Sequence, residues 1–429
     1  MSNKIFLERL KKFSSNYPRV IDLSLNRVSR LLSKLDNPQL KLPSVIHVAG
    51  TNGKGSTIAF LAKALICAGK KVHVYTSPHL LEVTERFIIA NNTISYSKLF
   101  DMLDYCVEVN NGEPITQFEM LTCIAFLLMS NTKADVSIIE TGLGGRLDAT
   151  NVINNPLLTI ITSISIDHID FLGNTLELIA EEKAGIIKKR TLCISAPQNP
   201  IVEKVLLNKC KLNNSELIIC NENKFFNETN NGFEIKGLKD NTYTFSYPSL
   251  KGQHQIINAV LAATSLILIS QLEVTIKNIN EGIISTKCKG RLELLNKGNV
   301  RKYVPDSSEV WLDGGHNIAG AQIIKKWIIN EKIHNIILIC GFLKNKDVKN
   351  ILYTLKNNIN YFIFVKLENT KYSYSIKELT SIAKSIDIKC YSNNSLKDVL
   401  ESNLILPNSK ILIFGSLYLV GEALKLDNA

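Results

Sequence analysis

The chain has 429 residues, enough for two or three domains of ordinary size, and its 45% hydrophobic and 21% charged residues lie near globular averages, which argues against disorder or a fibrous repeat. Lys and Arg number 50 against 39 Asp and Glu, a net charge of +11, but no run of five basic residues occurs. The excess therefore reads as composition bias rather than as a nucleic-acid surface. The nine cysteines stand at least ten residues apart, which leaves no CxxC metal or redox pair and fits reduced, buried thiols.

The first residues, MSNKIFLERLKKF, alternate charge with apolar side chains and lack the apolar core of a signal peptide. The longest apolar stretch, 259–269, is broken by Thr264 and Ser265 and is too short to span a bilayer, so a cytoplasmic protein is expected. In chain order, Ser44–Ala49 reads as a buried strand, followed by a glycine-rich turn and a helical pattern over Gly55–Cys67. Further strands are predicted at Val72–Thr76, Val136–Glu140, Leu158–Ser163 and Leu192–Ser195, with helices near 97–109, 118–130 and 175–189. Such alternation predicts a parallel sheet covered by helices. Residues 215–250 read instead as antiparallel hairpins, and a helix follows over Gln255–Ser270. A second alternating region has strands at Val310–Leu312, Ile336–Cys340, Tyr361–Val365 and Ile411–Phe414. A boundary in the basic stretch Thr286–Tyr303 divides the chain into α/β domains at 1–288 and 289–429, hinged near residue 290.

The segment VIHVAGTNGKGST runs from a strand, through Gly50, Thr51, Asn52, Gly53, Lys54, Gly55 and Ser56, into a helix. Glycines let backbone amides turn around an anion, and the helix N-terminus adds positive potential. Lys54 can reach a terminal phosphate, and Ser56 or Thr57 can face the phosphates or their Mg²⁺. The loop is a variant, because Val48 and Gly55 stand where the common pattern has Gly and Ser/Thr. A purely structural turn is the alternative. Glu140 ends the strand VSIIE, where an acid can hold a metal beside the phosphates or be an ordinary strand-end acid. Ser77 and His168 also follow strands and share both readings, metal ligand or structural residue.

These blocks, with TSPHL and ERF, ETGLGGRLDATN, DHIDFLGNT, EEKAGIIK, DGGHN and GSLYLVGE, resemble the folylpolyglutamate synthase/dihydrofolate synthase family of the Mur ligase superfamily, in order and over nearly the whole chain. The resemblance implies an N-terminal P-loop-type ATPase domain with a mostly parallel sheet and a small antiparallel section, and a C-terminal Rossmann-like domain, with the active site in the cleft between them. It implies that Lys54 and its loop bind ATP together with Asn258, Arg291 and Asp313. It further implies that Ser77, Glu140, His168 and Lys183 hold Mg²⁺, with K⁺ as a candidate monovalent cation, and that His316 and Ser416 lie near the incoming glutamate. Lys289 replaces the family's usual proline before Gly-Arg.

In a helix over 175–188, Lys183 would have Ile179, Ala180, Ile186 and Ile187 three and four residues away and no acid to pair with. A lysine on that apolar face would be neutral, or would snorkel. A neutral amine can add CO₂, and the resemblance implies this carbamate, an anionic metal ligand. The segment IDLSLNRVSRLLSKLDNPQ resembles the family's pterin-binding stretch at Asp22, Leu23, Ser24 and Leu25, with Ser24 in place of the usual Gly. Thr116, Gln117, Phe118 and Glu119, and Leu147, Asp148 and Ala149, match its other pteroate contacts, or else serve as a helix start and a turn. Only 49 residues precede Gly50, too few for the nucleotide-sugar domain of cell-wall ligases.

The implied activity is ATP-dependent addition of L-glutamate to dihydropteroate and to reduced folates through an acyl phosphate, with closure about the hinge to exclude water. The expected partners are small molecules only, with no nucleic acid or membrane, and the expected state is a monomer. The alternatives are a synthase that only lengthens folate tails, and a nucleotide-dependent binding protein that ligates nothing.

Overall fold

The computed structural model describes residues 3–14, 22–368, 370 and 372–428. Ile21, in the stretch matched to pterin binding, lies outside them. Two compact units divide the chain. The first is built from residues up to Ser165, Ile169–Ser249 and Ile256–Thr286, and the second from Ile166–His168, Leu250–Gln255 and the chain from Lys287 on.

The first unit holds an eight-stranded sheet with the strands β1 Val45–Ala49, β2 Val72–Tyr75, β3 Phe87–Ile89, β4 Asn92–Thr93, β5 Val136–Glu140, β6 Leu158–Ile161, β7 Leu192–Ser195 and β8 Leu217–Ile219. The order is β4-β3-β2-β5-β1-β6-β7-β8, parallel from β2 to β8, with β3 and β4 antiparallel at one edge. Every residue of β1 and β5 is buried, as expected for central parallel strands covered on both faces. Val45, Tyr75 and Ile139 pack with the helices Asn26–Lys34, Tyr96–Asn110 and Gln117–Ser130. Ala49, Ile161 and Cys193 pack with Leu176–Ala184 and Pro200–Leu212. Because β1 connects onward to β2 on one side while β6 flanks it on the other, its C-terminal end is a switch point where ligands bind in such sheets.

A three-stranded antiparallel sheet follows, β9 Phe226–Thr229, β10 Gly232–Leu238 and β11 Asn241–Ser246. The hairpins predicted over 215–250 therefore begin only at β9, since β8 pairs in parallel with β7 and completes the large sheet. The helix predicted over 175–189 ends at Ala184, where Gly185 is held against another loop, so Ile186 and Ile187 are buried beyond the helix rather than on its face.

In the second unit the strands β12 Glu293–Leu294, β13 Glu309–Asp313, β14 Ile336–Cys340, β15 Tyr361–Phe364, β16 Cys390–Ser392 and β17 Lys410–Phe414 form a sheet in the order β12-β13-β17-β14-β15-β16. All pair in parallel except β12. No helix among the described residues is long and apolar enough to cross a membrane.

His47, fully buried in β1, sits 2.9 Å from the Thr150 hydroxyl, and its burial, reinforced by the Lys188 charge, pulls its pKa down from 6.5 to about 3. Between those values the unfolded chain binds the proton and the folded chain does not. Stability is therefore complete above pH 6.5 and is lost as pH falls toward 3, by at most about 1.4 kcal/mol per pH unit for this group. Urea midpoints at pH 7.5 and pH 5 should fall less in His47→Gln than in the unmodified chain; equal losses would exclude His47 as the source.

Candidate active site

β1 delivers the chain to Gly50, whose φ of +148° and 1.9 Å approach of a built Cβ to Thr162 Oγ1 admit only glycine. The amides of Thr51 and Asn52 donate to the Ser163 carbonyl at 2.9 and 3.2 Å, which fastens the loop to the end of β6. Gly53, at φ +94°, precedes the helix Lys54–Cys67, and a Cβ there would lie 2.5 Å from Asn258 Oδ1. Asn258 also accepts a bond from the Thr57 hydroxyl at 3.4 Å, so a residue about two hundred positions away abuts the loop. Lys54 Nζ donates to the carbonyls of Gly50 at 3.1 Å and Thr51 at 3.4 Å. Ser56 Oγ, 1% exposed, has no hydrogen-bond partner among the described residues. An unspent hydroxyl, an ammonium and a helix N-terminus at one turn suit a phosphate chain. Gly55 is different: a Cβ there meets nothing within 4 Å.

Glu140 lies opposite Val48 in the register of β5 with β1, at the same sheet edge. It is 5% exposed, accepts from the Ser77 amide at 3.1 Å through Oε2, and places Oε1 3.8 Å from Lys54 Nζ. Among the described residues no group of three His, Cys, Asp or Glu side chains could hold a metal. A lone buried carboxylate beside a phosphate loop and a serine fits a hard divalent cation that takes its remaining oxygens from phosphates and water. Lys183, on the helix Leu176–Ala184 and 4% exposed, donates from Nζ to the Gly50 carbonyl at 2.9 Å.

The loop Glu140–Asn151 and this helix fit each other through two glycines. A Cβ on Gly145 would lie 2.7 Å from the Glu182 carbonyl, and one on Gly185 would lie 2.4 Å from Arg146 Cα. Arg146 N donates to the Glu182 carbonyl at 2.7 Å, and its guanidinium pairs with the Glu182 carboxylate at 2.6 Å.

The three segments matched to pteroate contacts also converge. Thr116 caps the helix Gln117–Ser130: its hydroxyl accepts from Glu119 N at 3.2 Å, and Glu119 Oε2 accepts from Thr116 N at 2.8 Å. Phe118 lies so close to Gly142 that a Cβ there would come within 2.3 Å of the ring, and it stacks with Tyr75 at 6.2 Å between centroids. Asp148, between Leu147 and Ala149, accepts from Leu143 N at 2.8 Å, Thr150 N at 3.0 Å and the Thr150 hydroxyl at 2.5 Å. Its burial pushes its pKa up, and these bonds oppose the rise. Its carboxylate thus holds the shape of the loop. Asp22, at the head of the Asp22–Leu25 segment, is bound by Arg27, which also grips Glu119. Arg27 was not visible as a site residue from sequence; its only signal is a basic side chain next to the buried Val28 and Leu31.

The other candidates belong to the second unit. Asp313 ends β13 and accepts from Leu292 N at 3.0 Å and Gly315 N at 2.8 Å; burial raises its pKa and the Arg291 charge opposes this. Arg291 donates to the Gly290 carbonyl at 3.2 Å. His316 Nδ1 lies 2.9 Å from the Gly314 carbonyl, and Ser416, just beyond β17, caps the helix Leu417–Asp427 by accepting from Tyr418 N at 3.1 Å. His168, at φ +52°, follows Asp167, a buried acid on which three side chains converge: Lys346 Nζ at 2.6 Å, Asn317 Nδ2 at 3.0 Å and His316 Nε2 at 3.6 Å. Burial pushes the Asp167 pKa up, but His316 and the Lys346 charge hold it well below the carboxylate range. Lys346 was likewise not legible beforehand.

Gly185→Ala, which forces backbone apart, should lower stability by about 1–3 kcal/mol, read as a fall of several degrees in Tm. Gly55→Ala should leave Tm unchanged or slightly raised, because the position is open and helical.

Residues 48–266 match the Mur ligase middle domain, and residues 296–426 match the dihydrofolate synthetase C-terminal domain. A probable dihydrofolate synthetase of Schizosaccharomyces pombe is 35% identical over 95% of this chain and 99% of its own length. Among solved structures, E. coli FolC in complex with DHPP and ADP superimposes with a TM-score of 0.87 at 27% identity, over 98% of this chain and 97% of that one. A bifunctional folylpolyglutamate synthase/dihydrofolate synthase with Mn, AMPPNP and L-glutamate bound gives 0.83 at 25% identity, over 99% and 98%. The family matches cover both units and the relatives align over nearly the whole chain, so the chain belongs to the dihydrofolate synthase/folylpolyglutamate synthase family of Mur-type, ATP-dependent ligases.

Proposed function

We propose that this chain joins the amino group of L-glutamate to the carboxylate of dihydropteroate, and likewise extends reduced folates, acting as a monomer in the cytoplasm. The observation that carries the reading is the convergence, within one unit, of the Lys54 loop, Glu140 and the segments containing Asp22, Thr116–Glu119 and Leu147–Ala149. The phosphate loop, with Asn258, takes ATP, and Arg291 and Asp313 serve the same nucleotide. Glutamate falls to His316 and Ser416. The nine unbridged cysteines agree with a reducing compartment.

A carboxylate has no leaving group toward an amine, so an oxygen of the acid substrate attacks the γ-phosphorus and ADP departs. The neutral glutamate amine then attacks the acyl carbon, and phosphate leaves as the amide forms. Lys54 neutralises charge on the transferring phosphoryl group, a role of position and electrostatics. Glu140 and Ser77, with His168 and Lys183 as further candidates, are the residues that would hold Mg²⁺, which would supply further charge neutralisation. K⁺ is the candidate monovalent activator. Lys183 is the candidate for carbamylation, supported by its burial and its position beside Gly50.

Lys54→Ala should cut turnover by about 100-fold or more while the chain still folds, with some fall in Tm because buried Glu140 loses its cation. The readout is phosphate release that requires both dihydropteroate and glutamate; release without glutamate would favour a nucleotide-driven binding protein instead. Intact-mass spectra under bicarbonate should show a 44 Da adduct, about the mass of CO₂, that disappears in Lys183→Ala. An adduct on neither protein would remove the carbamate from the mechanism. A narrower activity on dihydropteroate alone is the second reading, favoured by the match of residues 296–426 to the dihydrofolate synthetase C-terminal domain. Products formed from dihydropteroate and from tetrahydrofolate separate the two.

A further inference from the structure

Arg27 lies on the helix Asn26–Lys34 with its side chain 14% exposed, and among the described residues four hydrogen bonds join it to two other parts of the first unit. Nε and Nη2 fork onto Glu119, at 3.1 Å to Oε2 and 2.9 Å to Oε1. Nη1 reaches Asp22 Oδ2 at 3.1 Å, and Nη2 also donates to the Asp22 backbone carbonyl at 2.6 Å. Glu119, its side chain 4% exposed, spends Oε2 a second time on the amide of Thr116. One guanidinium therefore fixes the backbone and the carboxylate of Asp22 relative to the N-terminal turn of the helix Gln117–Ser130. That same turn carries Phe118 against Gly142, on the loop that Asp148 shapes.

We infer that Arg27 is a positioning residue of the acid-substrate pocket, which sets the direction of the Asp22 carboxylate and holds the segments Asp22–Leu25 and Thr116–Glu119 in one arrangement. The inference rests on the reading of those segments as pteroate contacts. Its physical basis is geometry. A carboxylate held in one direction by a charged fork suits a ligand edge rich in N–H donors, as an aminopyrimidinone is. Only a planar fork can serve both acids together; a lysine ammonium at the same position is a point charge on a flexible stem.

The test measures Kd for 7,8-dihydropteroate and for ADP, together with Tm, in the full chain carrying Arg27→Lys, Arg27→Ala or Asp22→Ala. Arg27→Ala leaves Glu119 buried without its cation and is expected to lower Tm. Arg27→Lys keeps the charge and isolates the geometry. The expected result is a rise of about tenfold or more in Kd for dihydropteroate with Arg27→Lys, with Kd for ADP within about twofold and Tm close to the unmodified chain. In turnover the same variant should raise KM for dihydropteroate while KM for ATP is unchanged. Unchanged dihydropteroate affinity in Arg27→Lys overturns the proposal, as does equal weakening of both ligands, which marks a purely structural role. If Asp22→Ala binds dihydropteroate normally, the pteroate reading of that segment fails and the role of Arg27 fails with it. If Asp22→Ala weakens binding but Arg27→Lys does not, only the role of Arg27 is lost.

Discussion

The hydrogen bond from Lys183 Nζ to the Gly50 carbonyl joins two buried groups that would each be costly alone, an amine at 4% exposure and a backbone carbonyl at the head of the phosphate loop. Through it the helix Leu176–Ala184 fixes where β1 turns into the loop. The position of that helix is set in turn by the reciprocal contact of Gly145 with Glu182 and of Gly185 with Arg146. Neither glycine can carry a side chain without parting backbone from backbone, so loop and helix admit one spacing. Glu140 begins the same loop, and so the acid beside Lys54 is held by the same constraint.

Buried polar groups recur in the first unit, and a local cluster there is tied to a distant strand. His47 meets Thr150, Thr150 meets Asp148, and Asp148 ties back to Leu143. This chain of bonds links the strand that feeds the phosphate loop to the turn at Leu147–Ala149. Such a network makes the site sensitive to any single loss. Preorganisation of that kind matters for phosphoryl transfer, where positioning and charge placement supply most of the catalysis.

The second unit solves a related problem with charge. Asp167 gathers Lys346, Asn317 and His316 on one carboxylate, and Asp313 is held by two backbone amides. Asp313 is the last residue of β13, and Ser416 and Lys346 come from the loops that follow β17 and β14, the ends where parallel sheets leave backbone groups and side chains unsatisfied by strand pairing.

Local pattern was enough to read the phosphate loop, the central strands and the antiparallel section, because each depends on residues that are neighbours in the chain: glycines beside a lysine, apolar runs, turn residues between short strands. The resemblance carried by the blocks from HVAGTNGKGST to GSLYLVGE likewise needed only linear order. Where two distant segments meet, sequence was silent. β8 looked like part of a hairpin because its membership of the large sheet rests on β7, and the helix at Lys183 was drawn too long because its end is set by Arg146. No local signal marks the pairing of Arg27 with Glu119 or of Lys346 with Asp167, because these partners lie 92 and 179 residues apart. Which elements exist is settled by short-range periodicity and steric preference, whereas which charges pair and which glycines must stay bare is decided only when the folded chain brings remote backbones within a few ångströms.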